Sequence, residues 1–378
     1  MRVVIAKKLL SAIGGSEMFA RALDRELRAL GHEVTLVGLR PAWPRPGMPT
    51  EALAAQPGPV TIRADGARLV FLPVRGGRIG AAIDGLLPTA LVRAEDLRGV
   101  VAGADVVHSI AREWSGQLER AARLAGAAFV ETPLVHPGQP FSGASAADVA
   151  RYRRDDAVMA LTEWEAGWYR ARGVERVHVT GIGPNLGALP EVARERATVL
   201  FVGRRERYKG YHALRTAARL VWAERPEVRF VTIGQRAWNS AFGGGLRDAR
   251  WSDRGVATEE EKADAYARAT IFAMPSEHET FGHTYLEAWS AGLPVIAGDI
   301  APLREVVREG IDGLHVRNEP HAIAGAILAL LRDPERARRM GEAGRERLAR
   351  EFSWPSVAKR TEAVYSLART RSRAAARE

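Results

Sequence analysis

The sequence predicts an α/β fold of two Rossmann-like domains facing each other across a cleft. Three observations carry this reading. Apolar runs of strand length alternate with amphipathic stretches of helix length through the first half of the chain, the same alternation begins afresh at ATVLFVG, and each series opens with a strand that runs into a glycine-bearing loop. A length of 378 residues accommodates two domains, each with its own core, and 46% hydrophobic residues exclude a disordered or fibrous chain.

Taken in order, MRVVIA is a buried strand, KKLLSAIGG a glycine loop, and SEMFARALDRELRALG an amphipathic helix. Phe19, Ala22, Leu23, Leu27 and Leu30 line one face of that helix, and Gly31 stops it. HEVTLVG is the second strand, which completes a βαβ unit with its glycine loop at the carboxyl end of the first strand, where open α/β sheets bind ligands. Pro41 to Pro59 read as a long loop, and further strands follow at ARLVFLPV, ADVVHSI, AAFVETP, DAVMALT and VHVTGIG.

A junction near Gly187 to Thr198 separates this series from the next. There ATVLFVG is a strand, RRERYKG a basic loop, and YHALRTAARLVWAE a helix with Leu214, Ala218, Val221 and Trp222 facing inward, ended by Pro226. VRFVTIG, the glycine loop Gly243 to Gly245, the helix TEEEKADAYARA, the strand TIFAMPS, then LPVIAG, LREVVREG and DGLHV continue the alternation, and three helices close the chain. The expected division is residues 1–190, 191–352 and a last helical segment 353–378.

With no cysteine, disulfides and thiolate metal sites are excluded, which suits the cytoplasm. Lys7 and Lys8 interrupt an N-terminal apolar stretch already too short for a signal peptide, and no window approaches the ~18 apolar residues of a membrane span. The net charge of +10 favours anionic partners, and residues 331–378 hold 13 basic residues against 7 acidic ones. That tail is read first as a solvated helix face and next as a peripheral contact with an anionic inner membrane face. Nucleic acid is disfavoured, because the arginines alternate with alanine and glutamate rather than with aromatic residues. Only five of the 55 basic residues are lysines, a skew that suggests genomic composition bias and carries no mechanism by itself.

Three stretches bear on chemistry. Gly14-Gly15 lack the G-x-G-x-x-G spacing and the acidic residue after the second strand that a dinucleotide site needs, which leaves a plain tight turn or a close backbone approach to a phosphate or sugar. FVGRRERYKG is not a Walker loop, since Lys209 precedes Gly210; Arg204 and Lys209 are either solvated or placed to neutralise a diphosphate. In PSEHETFGHTYLEA, a strand feeds a loop carrying Glu279 and then a helix carrying Glu287. A glycosidase pair must face one bond from two sides at roughly 5–9.5 Å, which a loop residue and a helix residue eight positions apart fit poorly. Metal ligation also fits poorly, because His278 and His283 lack helical register with Glu287. Carboxylates accept hydrogen bonds only, so the pair suits a hydroxyl-rich ligand, with phosphate held by the amides of Thr280, Phe281 and Gly282 at the helix N-terminus.

The run GGSE with its helix and GHEV, then FVGR-x4-KG, then PS-x3-ETFG-x4-EAW-x-AGLPVIAGD, LREVV-x-EGIDGLHV and a closing FSW resembles the retaining glycosyltransferases of family 4 over nearly the whole chain. The E-x7-E pattern in this context is its most specific part. The resemblance implies the GT-B fold, with the last helix crossing back to the N-terminal acceptor-binding domain, and a C-terminal domain that binds a UDP- or GDP-sugar. It implies that Glu287 holds the ribose hydroxyls, that Glu279 lies beside the transferring sugar, and that Thr280, Phe281 and Gly282 give backbone contacts. Arg204 and Lys209 match the family's basic pair on the diphosphate, and Gly14-Gly15 the loop that closes over the donor.

The family's N-terminal-domain histidine follows a strand reading V-x-T-x-H, whereas this chain reads VETPLVHPG. The family position is therefore Leu134, and the histidine is displaced to His136, or its role is shared with His108. His136 is preferred, because a histidine on an apolar strand is more often a core residue. Asn185, where the family has a PNG turn, is read as structural. The implied activity is metal-independent, front-face transfer of a hexose to a hydroxyl acceptor, which is a sugar, a lipid-linked acceptor or a small molecule, with no cofactor beyond the nucleotide-sugar. A nucleotide-sugar epimerase or phosphorylase on the same scaffold, and a non-catalytic binder of anionic surfaces, are the alternatives.

Overall fold

The computed structural model describes residues 1–11, 14–43, 48, 58–84, 87, 90–135, 143–195, 197–235 and 246–375. Its first half runs β1 (Arg2–Ala6), α1 (Gly15–Ala29), β2 (Glu33–Leu39), β3 (Val60–Ala64), β4 (Ala67–Leu72), α2 (Gly77–Asp84), α3 (Ala94–Val101) and β5 (Val106–Ile110). It continues with α4 (Ser115–Leu124), β6 (Ala128–Thr132), α5 (Ala146–Tyr152), β7 (Ala157–Ala160), α6 (Glu163–Arg170) and β8 (Val177–Val179). The second half runs β9 (Thr198–Val202), α7 (Tyr211–Glu224), β10 (Arg229–Ile233), β11 (Trp251–Asp253), α8 (Glu259–Arg268), β12 (Ile271–Met274) and α9 (His283–Ser290). There follow β13 (Val295–Gly298), α10 (Ala301–Val306), β14 (Gly313–Val316), α11 (Pro320–Arg332), α12 (Pro334–Arg347) and α13 (Trp354–Ala375).

Contacts divide the chain into two compact units, Met1–Ile182 with Trp354–Glu378, and Gly183–Ser353. In the first, eight strands take the order β3-β4-β2-β1-β5-β6-β7-β8. All pair in parallel except β3 with β4. The antiparallel pair is a hairpin through Asp65 and Gly66, both at positive φ, as a two-residue turn requires. The Asp-Gly pair was readable in the sequence, but β3 was missed beside the long proline-rich loop.

In the second unit six parallel strands take the order β11-β10-β9-β12-β13-β14. Counted from β9 this is 3-2-1-4-5-6, the dinucleotide-fold order, and it reverses between β9 and β12. The strands are near-continuous apolar runs because helices cover both faces of a parallel sheet. Val199, Leu200, Phe201, Phe272, Ala273, Ile296 and Ala297 are fully buried.

On α1 the inward face is Phe19, Ala20, Ala22, Leu23 and Leu27, while Leu30 caps the helix and is exposed, contrary to expectation. The four residues expected inward on α7 are buried. Helix α13 belongs to the first unit: Trp354 packs on Phe19 at 5.8 Å, Glu362 meets His32 at 2.9 Å and Arg369 meets Asp105 at 2.9 Å. Among the described residues no helix is long and apolar enough to cross a membrane.

Candidate active site

In the second unit the two motif loops leave adjacent strands at the switch point. FVGRRERYKG leaves β9 and PSEHETFG leaves β12. Hydrogen bonds hold them together: the Tyr208 carbonyl accepts from the Glu277 amide at 2.7 Å and from Ser276 Oγ at 3.2 Å. Gly210 makes this approach possible. Its φ is +80°, and a Cβ there would lie 2.5 Å from Pro275.

This register brings Lys209 to Glu279, with Nζ 2.5 Å from Oε1 and both side chains largely buried. Arg204 is not drawn into the pair. Its side chain is 61% exposed, its guanidinium meets Glu206 at 3.1 Å, and it bonds the Tyr208 hydroxyl. Burial pushes that phenol up to about 12. The two cations expected to act together thus sit in different settings, one enclosed and one at the rim.

At Gly282 the chain turns into α9 with φ +88°, and a Cβ there would lie 2.5 Å from the Tyr285 ring. The Phe281 side chain is buried on Phe352, 5.3 Å between ring centroids, while Thr280 is half-buried. Phe281 can therefore offer a ligand only its backbone. His283 opens the helix with Nε2 buried and without a hydrogen-bond partner. Burial first, and then the Lys262 and Lys209 ammonium groups, push its imidazole down to about 4, so it is neutral at physiological pH.

Glu287 is buried one turn further on. Its Oε2 accepts from the Tyr266 hydroxyl at 2.9 Å, and its Oε1 lies 3.3 Å from Lys262 Nζ. Both partners stand on α8, started by a capping box of Thr258 and Glu261. Burial raises the Glu287 carboxyl, while Lys262 and the Tyr266 bond pull it back down. A carboxylate has about four acceptor positions, and these two contacts use two of them. Lys262 and Tyr266 were not singled out from sequence, although their i,i+4 spacing inside TEEEKADAYARA was a usable signal.

In the first unit Gly14 takes φ +119° and caps α1, and Gly15 is its first residue. His136 lies outside the described residues. The strand before it ends in a turn where Leu134 takes φ +57° and the Val135 amide donates to Glu165 Oε1 at 3.3 Å. Glu165 also accepts from the Leu161 amide and the Tyr169 hydroxyl, and burial brings its carboxyl up to about 7. His108 is fully buried on β5, with Nδ1 2.7 Å from the Tyr365 hydroxyl and Nε2 2.7 Å from Thr132 Oγ1. Both nitrogens are occupied, and burial pushes the imidazole down to about 3. Among the described residues no three His, Asp or Glu side chains converge as a metal-ligand set.

Residues 14–185 match the profile of the glycosyl transferase 4-like domain, and residues 190–347 that of the glycosyl transferases group 1. The chain is 32% identical over 217 residues to D-inositol 3-phosphate glycosyltransferase of Thermobispora bispora, covering 51% of this chain and 50% of that one. It is 33% identical over 232 residues to alpha-maltose-1-phosphate synthase of Mycolicibacterium smegmatis, covering 52% and 58%. The chain thus spans about half the length of these curated relatives. Among solved structures, sucrose-phosphate synthase of Thermosynechococcus elongatus is similar with a TM-score of 0.75 at 20% identity, covering 97% and 98% of the two chains. HepE of Anabaena, in complex with UDP and glucose, is similar with a TM-score of 0.72 at 15% identity, covering 97% and 99%. These likenesses show a shared fold.

Proposed function

Since the chain belongs to the glycosyltransferases of group 1 and the 4-like family, with the GT-B fold, we propose that it moves a hexose from a nucleoside-diphosphate sugar to a hydroxyl acceptor, with retention of anomeric configuration and without a metal ion. The observation that carries this reading is the placement of Lys209, Glu279 and Glu287 around the Gly282 turn, at the carboxyl edge of one parallel sheet.

The roles follow from the chemistry of each group. Glu287, acceptor-only when ionised, takes the vicinal hydroxyls of the ribose. The amides of the Gly282 turn and the N-terminus of α9 take the diphosphate. Lys209 neutralises the charge that develops on the leaving oxygen, and Glu279 orients the Lys209 ammonium and faces the sugar hydroxyls. Arg204, at the rim, swings onto the diphosphate once a donor arrives. By their motif positions alone, Gly14, Gly15 and His136 are proposed to take part in donor binding.

In the reaction, the acceptor oxygen bonds to the anomeric carbon on the face the diphosphate leaves. The carbon–oxygen bond to phosphate breaks with its electron pair going to the phosphate, and the acceptor proton passes to that phosphate oxygen. The donor is UDP- or GDP-linked. Names such as D-inositol 3-phosphate glycosyltransferase, alpha-maltose-1-phosphate synthase and sucrose-phosphate synthase suggest a phosphorylated polyol or sugar as acceptor or product, which the net charge of +10 suits.

Thermal melting against a panel of UDP-, GDP- and ADP-sugars tests the donor, because a specific ligand stabilises the folded state by mass action. A shift with the UDP or the GDP series is expected; a shift with ADP-sugars alone overturns the donor assignment, and no shift with any of them at millimolar concentration overturns the proposal. NMR of the first-formed product tests the stereochemistry, and an inverted anomeric centre overturns retention.

A further inference from the structure

The chain carries only five lysines among 55 basic residues, and the structure gives that skew a pattern. Lys359 is exposed, but the other four are largely buried and each meets a carboxylate. Lys7 lies 3.3 Å from Glu113, Lys8 2.9 Å from Asp84, Lys209 2.5 Å from Glu279 and Lys262 3.3 Å from Glu287. Their side chains are 4%, 5%, 15% and 14% exposed. Arginines such as Arg151, Arg205 and Arg347 also form buried ion pairs, so burial alone does not set the lysines apart. What the ammonium adds is a compact point charge with three rotatable donors, where a guanidinium presents its donors in a rigid planar fork.

Lys262 shows this most clearly. Its Nζ donates to the Asn185 carbonyl at 2.6 Å, lies 3.0 Å from Glu259 Oε2 and 3.3 Å from Glu287 Oε1. Resting on the reading of Glu287 as the ribose anchor, we propose that Lys262 is a positioning residue for the donor: it keeps Glu287 ionised and turned toward the ribose diol, and pins the Asn185 segment beside it.

The groups around Glu287 define what its removal does. Lys262, Glu259 and Tyr266 face it from α8, and His283 lies one turn back on α9 and is neutral. Lys262 is the cation in direct contact. Burial lowers the Lys262 ammonium, but Glu287 and Glu259 raise it overall, so it stays charged through neutral pH. Without it, Glu287 keeps its burial and the nearby Glu259 charge, both of which raise its carboxyl, and loses the cation that lowers it. A protonated Glu287 has an O–H donor in place of an acceptor.

The test is calorimetric titration of wild type, Lys262→Met and Lys262→Arg with UDP, GDP and ADP between pH 5.5 and 9. Wild type is expected to bind one nucleotide with little pH dependence. Lys262→Met is expected to bind about tenfold or more weakly at pH 6 and to regain affinity as pH rises, because deprotonation restores the acceptor. Lys262→Arg keeps a cation and is expected to stay flat with pH, weakened only by its altered geometry. Glu287→Gln, which cannot ionise, is expected to be weak at every pH. Circular dichroism melts confirm that each variant is folded. Wild-type-like, pH-independent binding by Lys262→Met overturns the positioning role while leaving the donor site intact. Failure of wild type to bind any of the three nucleotides overturns the donor-site reading, and this inference with it.

Discussion

Lys209 and Glu279, seventy positions apart, meet through a 2.5 Å contact between Nζ and Oε1, although one leaves β9 and the other β12. Neither loop encloses this pair alone. Enclosed this way, the ammonium has one firm partner and two remaining donors, so an arriving diphosphate meets a cation already oriented. Removing one oriented donor to developing charge costs two to three orders of magnitude in turnover, about 3–4 kcal/mol. Lys209→Ala is therefore expected to lower kcat by that amount while donor affinity falls less, and steady-state kinetics with the identified donor measure both. Turnover within threefold of wild type removes Lys209 from the reaction.

Glu287 makes a different prediction, because its carboxylate is buried with a cation. Glu287→Ala leaves Lys262 beside an empty site, and breaking a buried pair costs roughly 3–5 kcal/mol. Glu259 at 3.0 Å still compensates the ammonium, so the lower end, about 3 kcal/mol, is expected. Urea unfolding followed by circular dichroism measures this. A loss below ~1 kcal/mol would mean that Lys262 escapes to solvent when its partner is gone.

Much of this was legible in advance, for reasons visible in particular residues. The alternation of apolar runs predicts the strands because parallel sheets bury both faces, and the E-x7-E spacing locates Glu279 and Glu287 on a loop and a helix. The sequence also brings Arg204 and Lys209 together by proximity, yet the backbone turn at Tyr208 and Gly210 sends one to the rim and the other inward. Spacing along a turn does not report which way side chains leave it. The i,i+4 spacing puts Lys262 and Tyr266 on one helix face but does not say what they meet: Asn185 and Glu287 lie 77 and 25 positions from Lys262, and only the packing of α8 assembles them. Leu30, counted on the inner face of α1, falls at the helix end where the periodicity no longer holds.

His108 predicts acid sensitivity. Its imidazole sits at about 3 in the folded chain against 6.5 in the open chain, so below 6.5 the unfolded state binds a proton that the folded state refuses. Stability is unaffected above that pH and is lost as pH falls from about 6.5 toward 3, at up to ~1.4 kcal/mol per pH unit. Glu165 opposes this in part of the range. With its carboxyl at about 7 against 4.5, it removes stability as pH rises from 4.5 through 7. His108→Phe is expected to flatten the acid limb of the melting curve between pH 6.5 and 4. An unchanged acid limb would place the proton uptake elsewhere.

Gly210 tests whether the two loops act as one device. Its φ of +80° disfavours any side chain by roughly 1–2 kcal/mol, and a Cβ there, 2.5 Å from the Pro275 ring and 2.7 Å from its carbonyl oxygen, adds a clash with the other loop. Gly210→Ala must therefore move the turn that carries Lys209 away from the loop that carries Glu279. The expected result is a melting temperature lowered by several degrees, in line with a loss of at least ~2 kcal/mol, together with a fall in kcat approaching that of Lys209→Ala. Glu279→Gln, which leaves the backbone intact, weakens the same pair by charge alone and is expected to lower kcat without the stability loss. If Gly210→Ala loses stability but keeps full turnover, the Lys209–Glu279 contact survives displacement of the turn, and the positioning of that ammonium does not depend on the packing of the two loops.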